Sequence, residues 1–209
     1  MSPRISITLG LLVASLAIPS TSEARSFADW VRKSPDEAMQ AFVEHEQARG
    51  RPAEEARIRA ATALANRLAP YGHSLAITWP ALRTATQLDC DNYAAAAVYL
   101  YRRGGGRKAA RWLGFDHGPF GNHAQIAIGP WLLDATIGIV ADAPRLLEGV
   151  PARRIARVGR FRDAGPSTFA ADVEYALRAG LYRPEHVIYD FWTRGSDLQA
   201  VAEGRVAYP

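Results

Sequence analysis

The chain has 209 residues, 48% of them hydrophobic and 22% charged, a globular composition that supports a sizeable core within one domain. Its formal charge of +4 and pI near 9.5 are too mildly basic to indicate nucleic-acid binding. A single cysteine, Cys90, excludes an intrachain disulfide framework.

Residues 1–24 read as a signal peptide. Arg4 supplies the positive n-region, residues 5–18 form an apolar h-region too short to span a bilayer comfortably, and Pro19 breaks it. Ser22-Glu23-Ala24 then offers small residues at cleavage spacing. The expectation is a periplasmic or secreted protein, residues 25–209, with no stable membrane insertion once the signal is removed. An unpaired cysteine in such a compartment is either a buried small hydrophobe or a thiol kept for chemistry.

"SPDEAMQAFVEHEQARG" predicts a helix in which Ser34 caps, Pro35 takes the first turn and Glu37 completes a capping box. "RPAEEARIRAATALANRLAPYG" predicts a second, with Ile58, Ala61, Ala65 and Leu68 on one face. Residues 73–87 read as a loop or short extended piece. Asp89 is a good N-cap for a helix from Cys90 to Arg103 that ends at three glycines, 104–106. Its middle, "AAAAVYL", is apolar almost all round, the mark of a helix in the centre of a domain.

"RKAARWLGF" follows as a strand, then the loop "DHGPFGN". "HAQIAIG" and "WLLDATIGIV" read as two strands of a hairpin turning at Gly129-Pro130. Beyond Asp142 the chain is less legible. Five arginines crowd residues 153–162 and read as a solvated, salt-bridged face. Residues 166–180 read as an amphipathic helix capped by Ser167, and residues 196–204 as a last short helix. The order predicts a single α+β domain: N-terminal helices, a central helix on an antiparallel sheet, and a C-terminal helical extension.

The chemistry-bearing pattern centres on Cys90. A helix N-terminus favours a thiolate, but the carboxylates of Asp89 and Asp91 repel one, so a neighbouring imidazole is needed. His123 opens the first hairpin strand and Asp134 lies on its partner. With a two-residue turn, His123 opposes Thr136 and Asp134 is its diagonal neighbour on the same face. With a four-residue turn, His123 and Asp134 pair directly. Either register lets the carboxylate orient the ring, the third member's role in a triad. Taken singly, His123 reads as a surface histidine at a strand start and Asp134 as a cap for the turn into "ATIG". Trp79 and Gln87 are nearby side-chain donors, and the Cys90 backbone N–H is the safer oxyanion donor. His117, Asp116 and Cys90 match no zinc spacing, and the reading includes neither metal nor cofactor.

"DCDNYAAAAVYLYRR" followed by "NHAQIAIGPWLLDAT" resembles the transglutaminase-like core of the papain-like superfamily, and Asp89-Cys90-Asp91-Asn92-Tyr93 looks like the bacterial transglutaminase-like cysteine proteinases. The resemblance covers residues 85–140. It implies Cys90 as nucleophile, His123 as general base and acid, and Asp134 as orienter, acting on a peptide or protein substrate. The implied activity is that of a peptidase or amidase. Amine acyl transfer by a transglutaminase-type reaction, or an inactive binding or scaffold protein on the same fold, are the alternatives. Two departures are visible. Leu88 stands where many relatives have glycine, and Thr84, not Gln, stands six residues before the cysteine, where papain has its oxyanion donor.

Overall fold

A computed structural model describes residues 21–116, 122–142, 146–162 and 169–193. Five helices come first: α1 (Thr21–Lys33), α2 (Pro35–Ala48), α3 (Ala53–Asn66), the one-turn α4 (Trp79–Leu82) and α5 (Cys90–Arg103). Strands β1 (Ala110–Asp116), β2 (Asn122–Ile128), β3 (Trp131–Asp134), β4 (Ile139–Asp142) and β5 (Arg154–Arg157) follow. Helix α6 (Phe169–Ala179) and strand β6 (Val187–Thr193) complete the described chain. The domain is thus mixed α+β with an antiparallel sheet of order β5-β4-β3-β2-β1-β6. Of the expected signal segment, residues 1–20 lie outside the described residues, as do Ser167 and the short helix expected at 196–204. Among the described residues no helix is long and apolar enough to cross a membrane.

The sheet separates two apolar layers. Ala124, Ile126 and Ile128 of β2 pack with α2, α3 and α5 in the larger cluster. On the other face Leu113, Phe115 and Leu132 meet Val173 and Leu177 of α6, together with Tyr182. Strand alternation therefore places His123 and Gln125, and Asp134 with Leu132, on the α6 side. Helix α5 is buried from Asn92 to Tyr101, as its alanine run predicts. Asp89 caps it: its carboxylate accepts from Asn92 N–H (3.3 Å) while the Asn92 side chain accepts from Asp89 N–H (2.9 Å). The reciprocal pair satisfies two helix-end donors.

Several sequence expectations need correction. Ser34 occupies the N-cap position of α2 but its side chain caps nothing, so the box with Glu37 is not formed. Residues 73–87 include α4. "WLLDATIGIV" is two strands, not one, because β3 stops at Asp134 and a turn leads to β4. Strands β5 and β6 were not expected. The arginines obscure β5, an edge strand whose Arg154 and Arg157 pair with Asp142 and Glu174. Strand β6, "VIYDFWT", does carry the β-branched and aromatic signature of a strand. Its place beside β1, far back in sequence, is a tertiary choice.

Asn66, at the end of α3, joins the layers. Its buried amide donates to the carbonyls of Ala135 (3.0 Å), Thr136 (3.1 Å) and Arg160 (3.0 Å), and its carbonyl accepts from Arg160 N–H (2.9 Å). Gly159 passes so close that a Cβ there would sit 2.2 Å from Asn66 Oδ1. Asn66→Ala strips partners from buried backbone groups at the turn after β3, with an expected cost of about 2–4 kcal/mol. Urea unfolding monitored by circular dichroism measures it, and a loss below about 0.5 kcal/mol would contradict the assignment.

Candidate functional site

The hairpin turn decides the register. Gly129 takes a positive φ of 56° beside Pro130, and Ile128 pairs with Trp131, so the connection is two residues long. Asp134 is then the diagonal neighbour of His123, the first of the two registers considered. His123 Nε2 lies 2.7 Å from Asp134 Oδ2, and the two side chains are only 2% and 1% exposed. His123 is therefore not a surface histidine.

Asp134 is held by four donors. Oδ2 takes His123 and the Gln125 amide (2.9 Å), while Oδ1 accepts from the N–H groups of Thr136 (3.1 Å) and Ile137 (3.3 Å). It caps the turn into "ATIG" and orients the histidine at once, so both readings of Asp134 hold in one carboxylate. Burial works to raise its pKa, but the His123 charge and these hydrogen bonds bring it below the ordinary carboxylate value. Burial likewise opposes charge on His123. The Asp134 carboxylate outweighs it, the Cys90 sulfur adds to the effect, and the ring is pushed up to about 10.

Cys90 is the first residue of α5 and is half-buried. Its thiol hydrogen-bonds the His123 side chain, and its Sγ also lies 4.0 Å from the Asn122 carbonyl. Since Nε2 is engaged with Asp134, Nδ1 is the ring nitrogen left for the sulfur. The Cys90 N–H has no partner among the described residues and points from a helix start, the chemistry of an oxyanion donor. At the Asp89 cap, burial pushes the carboxyl above its ordinary value and the Asp91 charge adds to the rise.

The structure thus brings Cys90, His123 and Asp134 together. Trp79 belongs elsewhere: it is buried and stacked on Tyr99 at 4.4 Å, about 13 Å along α5 from the cysteine. Gln87 is exposed and lies over Gly72, three residues before Cys90. His117 lies outside the described residues.

Three further residues complete the site, none of them singled out in the sequence. Gln125 gives one amide hydrogen to Asp134 and the other to the Tyr182 hydroxyl (2.8 Å). The Phe169 ring meets His123 edge-on at 4.9 Å. A readable signal existed for Gln125, two residues after His123 and hence on the same strand face. None existed for Phe169 or Tyr182, which arrive from the far side of the chain. Searches of protein-family models, curated proteins and solved structures find no significant match to this chain.

The pH dependence follows from the two shifts. Because His123 is raised, its contribution to stability is complete below about pH 6.5 and is lost as pH climbs through about 10. Because Asp134 is lowered, its contribution is present above its unfolded value and is lost as pH falls through its folded one. The difference in Tm between wild type and His123→Gln should therefore shrink steadily from pH 6.5 to pH 10. Gln125→Leu removes one donor from Asp134 and should move the acid-unfolding midpoint to higher pH. In an Asp134→Asn background that shift should vanish; its persistence would reduce Gln125 to a packing residue.

Proposed function

We propose that this chain is an exported, cysteine-dependent acyl-transfer enzyme, a peptidase or amidase on a transglutaminase-type, papain-like core. The observation that carries the reading is the continuous line from the Cys90 thiol through His123 to an ionised, four-fold hydrogen-bonded Asp134. A structural ion pair needs no half-buried thiol at its open end.

The chemistry runs in two halves. The Cys90 thiolate attacks the carbonyl carbon of an amide, a C–S bond forms, and the carbonyl electron pair moves to oxygen, where the Cys90 N–H receives it. As this intermediate collapses the C–N bond breaks, and His123 passes its Nδ1 proton to the departing amine. The now neutral imidazole takes a proton from water, and the water oxygen attacks the thioester. The C–S bond breaks, the carboxylic acid product leaves, and thiolate and imidazolium are restored. Asp134 stays ionised throughout, since its lone pairs are already engaged and its pKa is lowered. A histidine held near 10 is an imidazolium at neutral pH, which suits a first step that needs an acid.

The test combines chemistry with labelling. Cys90→Ala and His123→Ala should abolish release of fragments from denatured casein, and Asp134→Asn should slow it on the order of a thousandfold or more. Incorporation of a labelled amine in place of fragment release would reassign the reaction to transamidation. At pH 6, iodoacetamide should label wild type about tenfold faster or more than His123→Ala. Equal labelling of the two proteins would mark Cys90 as an ordinary thiol and favour a binding or scaffold role.

A further inference from the structure

Beside the N-terminus of α5 lies an open groove of about 370 Å³ that the triad does not use. Two chain segments wall it: residues 73–76 on one side and residues 84–87, with Ala81, on the other. They are joined at their base, where Gly72 N–H donates to the Leu88 carbonyl (3.0 Å), Leu88 N–H donates to the Pro70 carbonyl (3.1 Å), and Tyr71 bridges Leu88 in parallel. Ser74 N–H also bonds the Asp89 carboxylate, which ties the first wall to the cap of α5. Gln87, on the second wall, is three residues from Cys90, at most about 11 Å of chain. The groove's second wall therefore leads to the nucleophile by three residues of chain.

Its lining says what it would take. Among the lining residues there is no lysine, arginine, aspartate or glutamate; His73 is the one titratable side chain, and Ala76, Ala81 and Ala85 keep the walls close. The backbone N–H groups of His73, Leu75, Thr86 and Gln87 have no hydrogen-bond partner among the described residues, nor do the carbonyls of those four residues. Both walls thus offer main-chain donors and acceptors to a strand laid between them. Leu75 stands at the rim, 88% exposed, more than any other large apolar side chain in the described structure.

We infer that this groove is the acyl-donor subsite of the enzyme and binds an extended peptide with small, uncharged side chains, its backbone paired to the walls and Leu75 closing over it. The inference rests on the acyl-transfer reading, whose own test is separate. The probe is acetyl-Ala-Ala-Ala-chloromethyl ketone, which alkylates the thiol by displacing chloride but needs the peptide subsite to do so efficiently. Iodoacetamide alkylates the same sulfur without it.

Leu75→Asp and Thr86→Arg alter exposed positions and leave the core untouched. Both should slow inactivation by the tripeptide reagent about tenfold or more, with iodoacetamide labelling unchanged. Replacing the central alanine of the reagent by glutamate should slow wild type by a similar factor. Tripeptide rates that do not respond to either variant would overturn the groove assignment even while iodoacetamide labelling stays dependent on His123. Labelling indifferent to His123→Ala would overturn the acyl-transfer reading itself, and with it the assignment of the groove as its subsite.

Discussion

A histidine and an aspartate, each almost wholly withdrawn from water, sit 2.7 Å apart beneath the sheet. Taking such charges out of water costs several kcal/mol each, and their mutual attraction compensates only if the remaining hydrogen-bonding capacity is also met. Much of the surrounding structure follows from that demand. Strand β3 ends at Asp134, and the turn beyond it sends two N–H groups back to the carboxylate. Gln125 supplies a fourth donor and is itself held by Tyr182, while Phe169 closes over the ring. The C-terminal segment, expected as an added extension, is therefore part of the site: α6 and the residues after it keep the pair dry.

The thiol reaches this pair from the other layer. Helix α5 packs on the face of the sheet opposite α6, yet its first residue meets a histidine that alternation assigns to the α6 side. The meeting is possible because both residues begin their elements: Cys90 opens α5 and His123 is the second residue of β2. At the end of a strand a side chain can reach past the sheet, which it cannot do from the middle. The reciprocal Asp89–Asn92 cap fixes where α5 starts, and thus where the sulfur stands.

Legibility in the sequence tracked how local each cause was. The start and stop of α5 were readable because an N-cap aspartate and terminal glycines act within one turn. The hairpin was readable because Gly129-Pro130 favours a tight turn, although the choice between registers waited on the observed pairing of Ile128 with Trp131. The roles of Cys90, His123 and Asp134 could be proposed from types and order alone. Trp79 misled because an indole N–H near a cysteine looks like a donor, and only packing against Tyr99 reveals a core residue. Ser34 misled in the same way: a residue with the right chemistry occupied the cap position without making the bond.

By itself, then, the sequence determined an α+β chain, the buried central helix, the place of its lone thiol at that helix's start, and a histidine and an aspartate on successive strands. Those follow from side-chain periodicity and turn chemistry, whose range is a few residues. Tertiary structure alone decided that β6 returns to β1, that α6 and Tyr182 cover the face carrying His123, and that residues 73–76 and 84–87 face each other across a groove. These contacts join segments far apart in the chain, and the free energy that selects them comes from shared burial and mutually satisfied polar groups. No local pattern records that term.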